Sequence, residues 1–191
     1  LNKTPRQITV FCNTQKIKLN RSRTLYFSEI EYQVVLGSIL GDGHIKIYKK
    51  AKSSNLYIQH CIEQFEYINY KYILLKRICS SKIKIKERFD ARFKNSKYTT
   101  CILTTSTCLD FADLRKKWYQ PKKIIHHSVF DLEPLGLAIW YMDDGYYNDT
   151  AHLCTNGFLR KDCQFLQYML LKKFKIHTTL NKKNIIRIRK N

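Results

Sequence analysis

Two apolar segments of this chain end in the same abrupt way. Val35 to Gly43 reads VLGSILGDG, and Leu137 to Gly145 reads LAIWYMDDG. In each, a run of bulky residues with small ones between them stops at an aspartate followed by glycine. Ser28 and Glu31 form a capping-box pattern ahead of the first run, predicting a helix from Ser28 to Gly41. Pro134 suits the first turn of a second helix that begins near Leu132 and ends at Asp144. Both are apolar around most of their circumference, which predicts buried helices. Gly37, Ser38 and Ala138 make a small-residue stripe along which two backbones could approach closely, delivering both acidic ends to one point.

The segments downstream of each helix repeat as well. HIKIYKK, NLYIQH, KIKIKERF and KYTTCILTT alternate as strands do, and the Ile62–Cys79 segment between the pairs has helical spacing. CLDFADLRKKWY closes the series as a helix. From Leu132 the order is helix, two short strands, helix, two strands. The architecture predicted is α+β: two pseudo-symmetric αββαββ(α) lobes. Residues 1–27 form a basic N-terminal arm, 28–120 the first lobe, 121–131 a linker and 132–191 the second lobe, whose last helix is missing. Phe65, Tyr67, Tyr70 and Tyr72, on the helix after the first hairpin, read as core.

The paired aspartates raise an electrostatic problem. A carboxylate at a helix C-terminus meets the negative end of the macrodipole, and bringing Asp42 and Asp144 together adds like-charge repulsion. A divalent cation bound by both would offset this, and oxygen ligands suit Mg²⁺. Gly43 and Gly145 come next, where a left-handed exit from a helix favours glycine.

The chain carries 35 Lys+Arg against 15 Asp+Glu, a formal net charge of +20 over 191 residues. So large an excess points to a polyanionic partner, nucleic acid first. The basic residues are scattered rather than gathered into one amphipathic block, and no apolar run reaches transmembrane length, which argues against a membrane. The seven cysteines contain no C-x-x-C spacing, so a zinc ribbon is excluded and free thiols in a reducing compartment are expected.

With both segments in view, VLGSILGDG and LAIWYMDDG resemble the two motifs of the LAGLIDADG homing endonucleases, in the single-chain, two-motif branch. The resemblance covers Ser28 to Asn191. It implies curved antiparallel sheets that lie in a DNA major groove, central motif helices, and Mg²⁺-dependent cleavage of both strands of a specific duplex site. By position, Asp42 and Asp144 take the place of the catalytic, metal-binding aspartates. Gly41 and Asp143 would offer backbone carbonyls to the metals. Lys123, in QPKKIIHH, would sit near the attacking water or scissile phosphate, with Lys122 as its alternative. His126 departs from the proline often found at that point of the family pattern. Relatives also continue past the position of Asn191 with a last helix and a second basic residue.

Three strands share a pattern of cations on one face and apolar residues on the other. Lys82, Lys84, Lys86 and Arg88 alternate with Ile83, Ile85 and Phe89, with Glu87 as the exception; Lys46 and Tyr48 with Ile45 and Ile47; Arg187 and Arg189 with Ile186 and Ile188. Such ribbons can meet phosphates and reach base edges. Arg92, Lys94 and Lys97 in the intervening turn would contact backbone. The expected partner is a double-stranded DNA target, bound by a monomer with internal pseudo-dimer symmetry. Two alternatives stay open: an RNA-binding protein on the same fold (an intron maturase or ribonucleoprotein component), and a catalytically dead DNA-binding module. The wealth of Lys, Asn, Ile, Tyr and Phe hints at an AT-rich organellar genome, mitochondrial or chloroplast.

Overall fold

The structure, a computed structural model, describes residues 24–47, 53–90 and 96–189. The first unit runs α1 (Glu29–Leu40), β1 (His44–Ile47), β2 (Ser54–Cys61), α2 (Phe65–Leu75), β3 (Lys84–Asp90), β4 (Ser96–Thr104) and α3 (Leu109–Trp118). A hairpin of β5 (Tyr119–Gln120) and β6 (Lys122–Lys123) and a 3-10 segment (His127–Asp131) lead to the second unit. That unit comprises α4 (Pro134–Asp144), β7 (Gly145–Asn148), β8 (Thr150–Leu153), α5 (Arg160–Phe174), β9 (Thr178–Leu180) and β10 (Ile186–Ile188). The antiparallel sheets have matching orders, β1-β2-β4-β3 and β7-β8-β10-β9, so the sequence repeat is a structural one. No helix among the described residues is long and apolar enough to cross a membrane.

Local chemistry starts the key helix where expected. Glu31 N–H donates to Ser28 Oγ at 3.3 Å and Ser28 N–H to Glu31 Oε2 at 2.8 Å, closing the capping box. Arg77 clamps the same carboxylate, with Nε 2.9 Å from Oε1. From Gln33 to Leu40 α1 is buried at every position.

The two motif helices pack directly on each other. A Cβ added at Gly37 would collide with the carbonyl oxygen of Gly136 and lie 2.8 Å from Ile139 Cβ. A Cβ at Gly136 would lie 2.7 Å from Gln33 Oε1 and 3.1 Å from the Gln33 carbonyl. Each glycine therefore faces backbone of the opposite helix. Gln33, itself buried, fastens the N-terminal end of the crossing: its amide donates to Asp131 O at 2.9 Å and its carbonyl accepts from Glu133 N–H at 2.7 Å. At the C-terminal end the Tyr67 hydroxyl oxygen lies 3.1 Å from Ile139 O.

Several expectations need correction. Ala138 is exposed beside an apolar groove of about 330 Å³ in the second unit; Gly136, one helical row away, is the residue at the crossing. Met142 is 54% exposed, so α4 is buried along one stripe only, unlike α1. Gly43 and Gly145 are not left-handed, since no described glycine has positive φ. Space demands them instead: a Cβ would lie 2.9 Å from Ser38 Cβ at Gly43 and 2.6 Å from Tyr141 Cε2 at Gly145. Phe65 and Tyr70 are 38% and 47% exposed rather than core, and Ile47, Ile85 and Phe89 are 59–64% exposed. β3 is a sheet edge paired only with β4, so alternation there does not guarantee that a helix covers the apolar face. The six described cysteines are all free.

Because Gly37 faces a backbone carbonyl that cannot rotate away, Gly37→Leu is expected to destabilise the fold by about 1–3 kcal/mol or more. Gly136→Leu should cost a similar amount, whereas Ala138→Leu should cost little. Thermal or denaturant unfolding of the three variants checks this ordering.

Candidate functional site

The crossing fixes where the helix ends meet. A Cβ on Gly41 would lie 2.8 Å from Asp143 Oδ2, and Asp42 N–H lies 3.4 Å from the same oxygen. The turn after α1 is thus pressed against the last turn of α4. Asp42 and Asp144 face a shared environment, each carboxyl held above the ordinary carboxylate range. Burial is the largest cause for both, with Asp143 next for Asp42 and Asp42 next for Asp144. Asp144 is pushed up to about 6. The Asp42 side chain keeps 41% of its surface open to solvent.

Asp143 differs from both. Its carboxylate has no exposed surface and is gathered in by the first unit. Lys71 Nζ lies 2.5 Å from Oδ1, the Tyr67 hydroxyl donates to the same oxygen at 2.8 Å, and His60 Nε2 is 3.7 Å away. His60 bridges toward the other motif, its Nδ1 3.4 Å from Asp42 Oδ2 and 3.1 Å from Gln64 Oε1. One ligand atom from each of Asp42, His60 and Asp143 can be chosen so that all three lie within 4.8 Å. The repeat is chemically unequal here: Gly41 occupies in the first motif the position of Asp143 in the second.

Lys123 reaches the site from the hairpin between the units. β5 and β6 turn the chain back, Ile124 N–H bonds Trp118 O at 2.8 Å, and Lys123 Nζ donates to Gly41 O at 3.0 Å and Gly43 O at 3.2 Å. The Gly41 carbonyl, expected to face a metal, thus accepts from Lys123. Burial lowers the affinity of this amine for its proton, and the Asp144, Asp42 and Asp143 charges oppose that. Lys123, Asp144, Gly41 and Asn156 line a cleft of about 360 Å³. Lys122 is exposed and does not line it. Asp144 O accepts from Cys154 N–H at 2.8 Å, tying the helix end to the end of β8.

His60, Tyr67 and Lys71 were not legible as site residues. Tyr67 and Lys71 are four apart on α2, on one helical face, and His60 lies near the end of β2, but nothing in their local pattern marks them. Of the basic strand residues, Lys84, Lys86 and Arg88 are exposed on β3, while Lys82 precedes the strand. Lys46 is half-buried with Nζ 3.0 Å from the Tyr57 ring centroid, and Arg88 donates to the Tyr57 hydroxyl at 3.3 Å. Arg187 is exposed and paired with Asp149; Arg189 is exposed just beyond β10. Among the described residues, neither cluster is ion-paired with Asp42, Asp143 or Asp144. Tyr48, Arg92 and Lys94 lie outside the described residues.

Comparisons with known proteins agree with this layout. A family model described as the LAGLIDADG DNA endonuclease family matches residues 32–190. The chain is 32% identical over 163 residues to cytochrome b mRNA maturase bI2 of Saccharomyces cerevisiae, covering 79% of this chain but 38% of that protein. It is 28% identical over 172 residues to DNA endonuclease I-ChuI of Chlamydomonas applanata, covering 80% of this chain and 76% of that one. Among solved structures, the homing endonuclease I-WcaI bound to its DNA recognition sequence superposes with a TM-score of 0.75 at 23% identity. That alignment covers 98% of this chain and 83% of the other, and it establishes a shared fold. With two motif helices crossing at glycines, matching sheets and a family match across most of its length, the chain belongs to the LAGLIDADG DNA endonuclease family.

Proposed function

We propose that the chain is a site-specific endonuclease that cuts both strands of a DNA duplex, with Asp42 and Asp144 holding Mg²⁺. The observation that carries this reading is the pair of carboxylates at two packed helix ends, both held toward the protonated form by burial and by neighbouring negative charge. Two such carboxylates repel each other, and their oxygen donors suit a hard divalent ion. When bound, the cation supplies an activated water and stabilises charge on the leaving oxygen. The chain's own residues orient the reaction. Asp42 is open to solvent on one side, Asp144 lines the cleft, and the Lys123 amine beside Gly41 and Gly43 places a positive charge where a phosphate would enter.

The basic strand surfaces support a duplex as partner, with Lys46, Lys84, Lys86 and Arg88 from the first unit and Arg187 and Arg189 from the second. We assign residues 28–120 and 132–191 as the two lobes, joined by 121–131 and acting as one monomer. Organelle origin is part of the same reading, supported by the residue bias and by the likeness to a cytochrome b mRNA maturase. That likeness also favours a second reading, binding of a structured intron RNA. A structured RNA that outcompetes every duplex tested, including one selected for tightest binding, would decide for it.

Asp42→Asn and Asp144→Asn are each expected to abolish cleavage of a selected duplex in Mg²⁺ while leaving binding equal or tighter, because a repulsive carboxylate is removed. Cutting at the normal rate by either variant would exclude the assignment. Stability gives an activity-free check. Asp144 ordinarily titrates at 3.8 but here near 6. Between those values the folded chain holds this proton more tightly than the unfolded chain does. Stability is therefore lost as pH rises through about 4 to 6, and the loss persists above it. A bound cation replaces the proton, so Ca²⁺ should raise Tm more near pH 7.5 than near pH 5. Asp144→Asn should remove that difference.

A further inference from the structure

Tyr57 and Gln59 are two apart on β2 and so share a face of the first sheet. The register Gln59–Ile102–Lys84 across β2, β4 and β3 makes it the face that carries Lys84, Lys86 and Arg88. Arg88 is exposed there, and Tyr57 and Gln59 are half-buried. An arginine can only donate, so the Tyr57 hydroxyl oxygen accepts from Arg88 Nη2 at 3.3 Å. The hydrogen of that hydroxyl goes to Gln59 Oε1 at 2.7 Å. The Tyr57 ring is held in turn by the Lys46 ammonium, whose Nζ lies 3.0 Å from its centroid. Burial lowers the affinity of the Lys46 amine for its proton, and Arg88 and Lys86 lower it further, so these cations share one neighbourhood.

These bonds decide what the face can offer a ligand. A free glutamine amide pairs with adenine by accepting from N6 through its carbonyl and donating to N7. In this sheet the Gln59 carbonyl is turned to the Tyr57 hydroxyl, and the two N–H hydrogens of the amide are what remain. Arg88, bonded to the same hydroxyl, adds only donors. We infer that Tyr57 positions Gln59 and Arg88 to read a guanine in the major groove, an inference that rests on the duplex recognition proposed above. The guanine edge presents two acceptors, O6 and N7. Adenine presents one acceptor beside the N6 donor, cytosine a donor, and thymine one acceptor beside a methyl group. A surface of donors therefore suits guanine and leaves the adenine N6 hydrogens unmet. Tyr57 is a positioning residue in this account: it chooses between the two purines through the amide that it orients.

The test reads binding alone, in metal-free buffer. A duplex is selected for tightest binding, and every single base-pair change in it is measured for the wild-type chain, Tyr57→Phe, Gln59→Ala and the double variant. The wild-type chain should require guanine at a position bound by the first unit, any other base weakening binding roughly 5- to 150-fold. Tyr57→Phe keeps the ring under Lys46 and frees the amide to turn. Adenine should then gain about tenfold on guanine at that position and nowhere else, with thermal stability and salt dependence unchanged. Adding Tyr57→Phe to Gln59→Ala should change the guanine-to-adenine ratio far less than Tyr57→Phe does alone, because the effect passes through the amide. Uniform weakening of every sequence by Tyr57→Phe would mean that the group serves the phosphate backbone, and would overturn the inference while duplex recognition stands. An unchanged guanine-to-adenine ratio in Tyr57→Phe overturns it likewise, as does a wild-type preference for adenine at the position that Gln59→Ala relaxes. If no duplex binds more tightly than bulk DNA, the duplex reading itself fails and this inference falls with it.

Discussion

The contact between α1 and α4 is the constraint on which the rest depends. Gly37 and Gly136 let each helix lie against the other's backbone, and no side chain could be added to either without pushing the units apart. The crossing leaves the helix C-termini side by side. Helix ends carry negative partial charge, and here each also carries an acidic residue. The close packing that builds the core therefore creates a local excess of negative charge that some cation has to answer.

The answer is divided between the two halves of the junction. Asp143 is met by Lys71, with Tyr67 bonding the same oxygen and His60 nearby. Lys123 comes from the inter-unit hairpin and directs its hydrogens to the Gly41 and Gly43 carbonyls, leaving its charge near Asp144 without pairing it directly. Asp144 is left without a direct cationic partner, and burial together with the Asp42 charge pushes its carboxyl up to about 6. A structural ion pair and an open acidic position thus sit on adjacent residues of one helix. Exchange of their roles is prevented by burial: the Asp143 side chain has no exposed surface, whereas Asp144 borders a cleft.

Much of this was readable from the sequence, because its signals are local or repeated. The capping box at Ser28, the doubled helix-strand order and the acidic helix ends all arise from spacing within a few residues. The small-residue stripe was half right. Gly37 is at the crossing, but Ala138 is not, because rotation of α4 about its axis depends on which row fits the opposite backbone. The glycines after the aspartates were readable as necessary and misread in cause, since crowding by Ser38 and Tyr141 rather than backbone handedness requires them. Strand alternation failed at Ile85 and Phe89 because a period of two says which residues share a face, not whether anything covers it. Lys71, Tyr67 and His60 escaped notice because their meaning depends on a residue some 70 positions or more away; a lysine on a helix reads as solvated until its partner is known.

The central claim is that Asp42 and Asp144 together hold the functional cation. Anomalous scattering from Mn²⁺, in crystals of the protein with a duplex selected for tight binding, tests this most directly. A peak coordinated by carboxylate oxygens of both Asp42 and Asp144 is the predicted result. Density for Mn²⁺ at saturating concentration that touches neither aspartate, or only one with the other paired to a lysine, would contradict it.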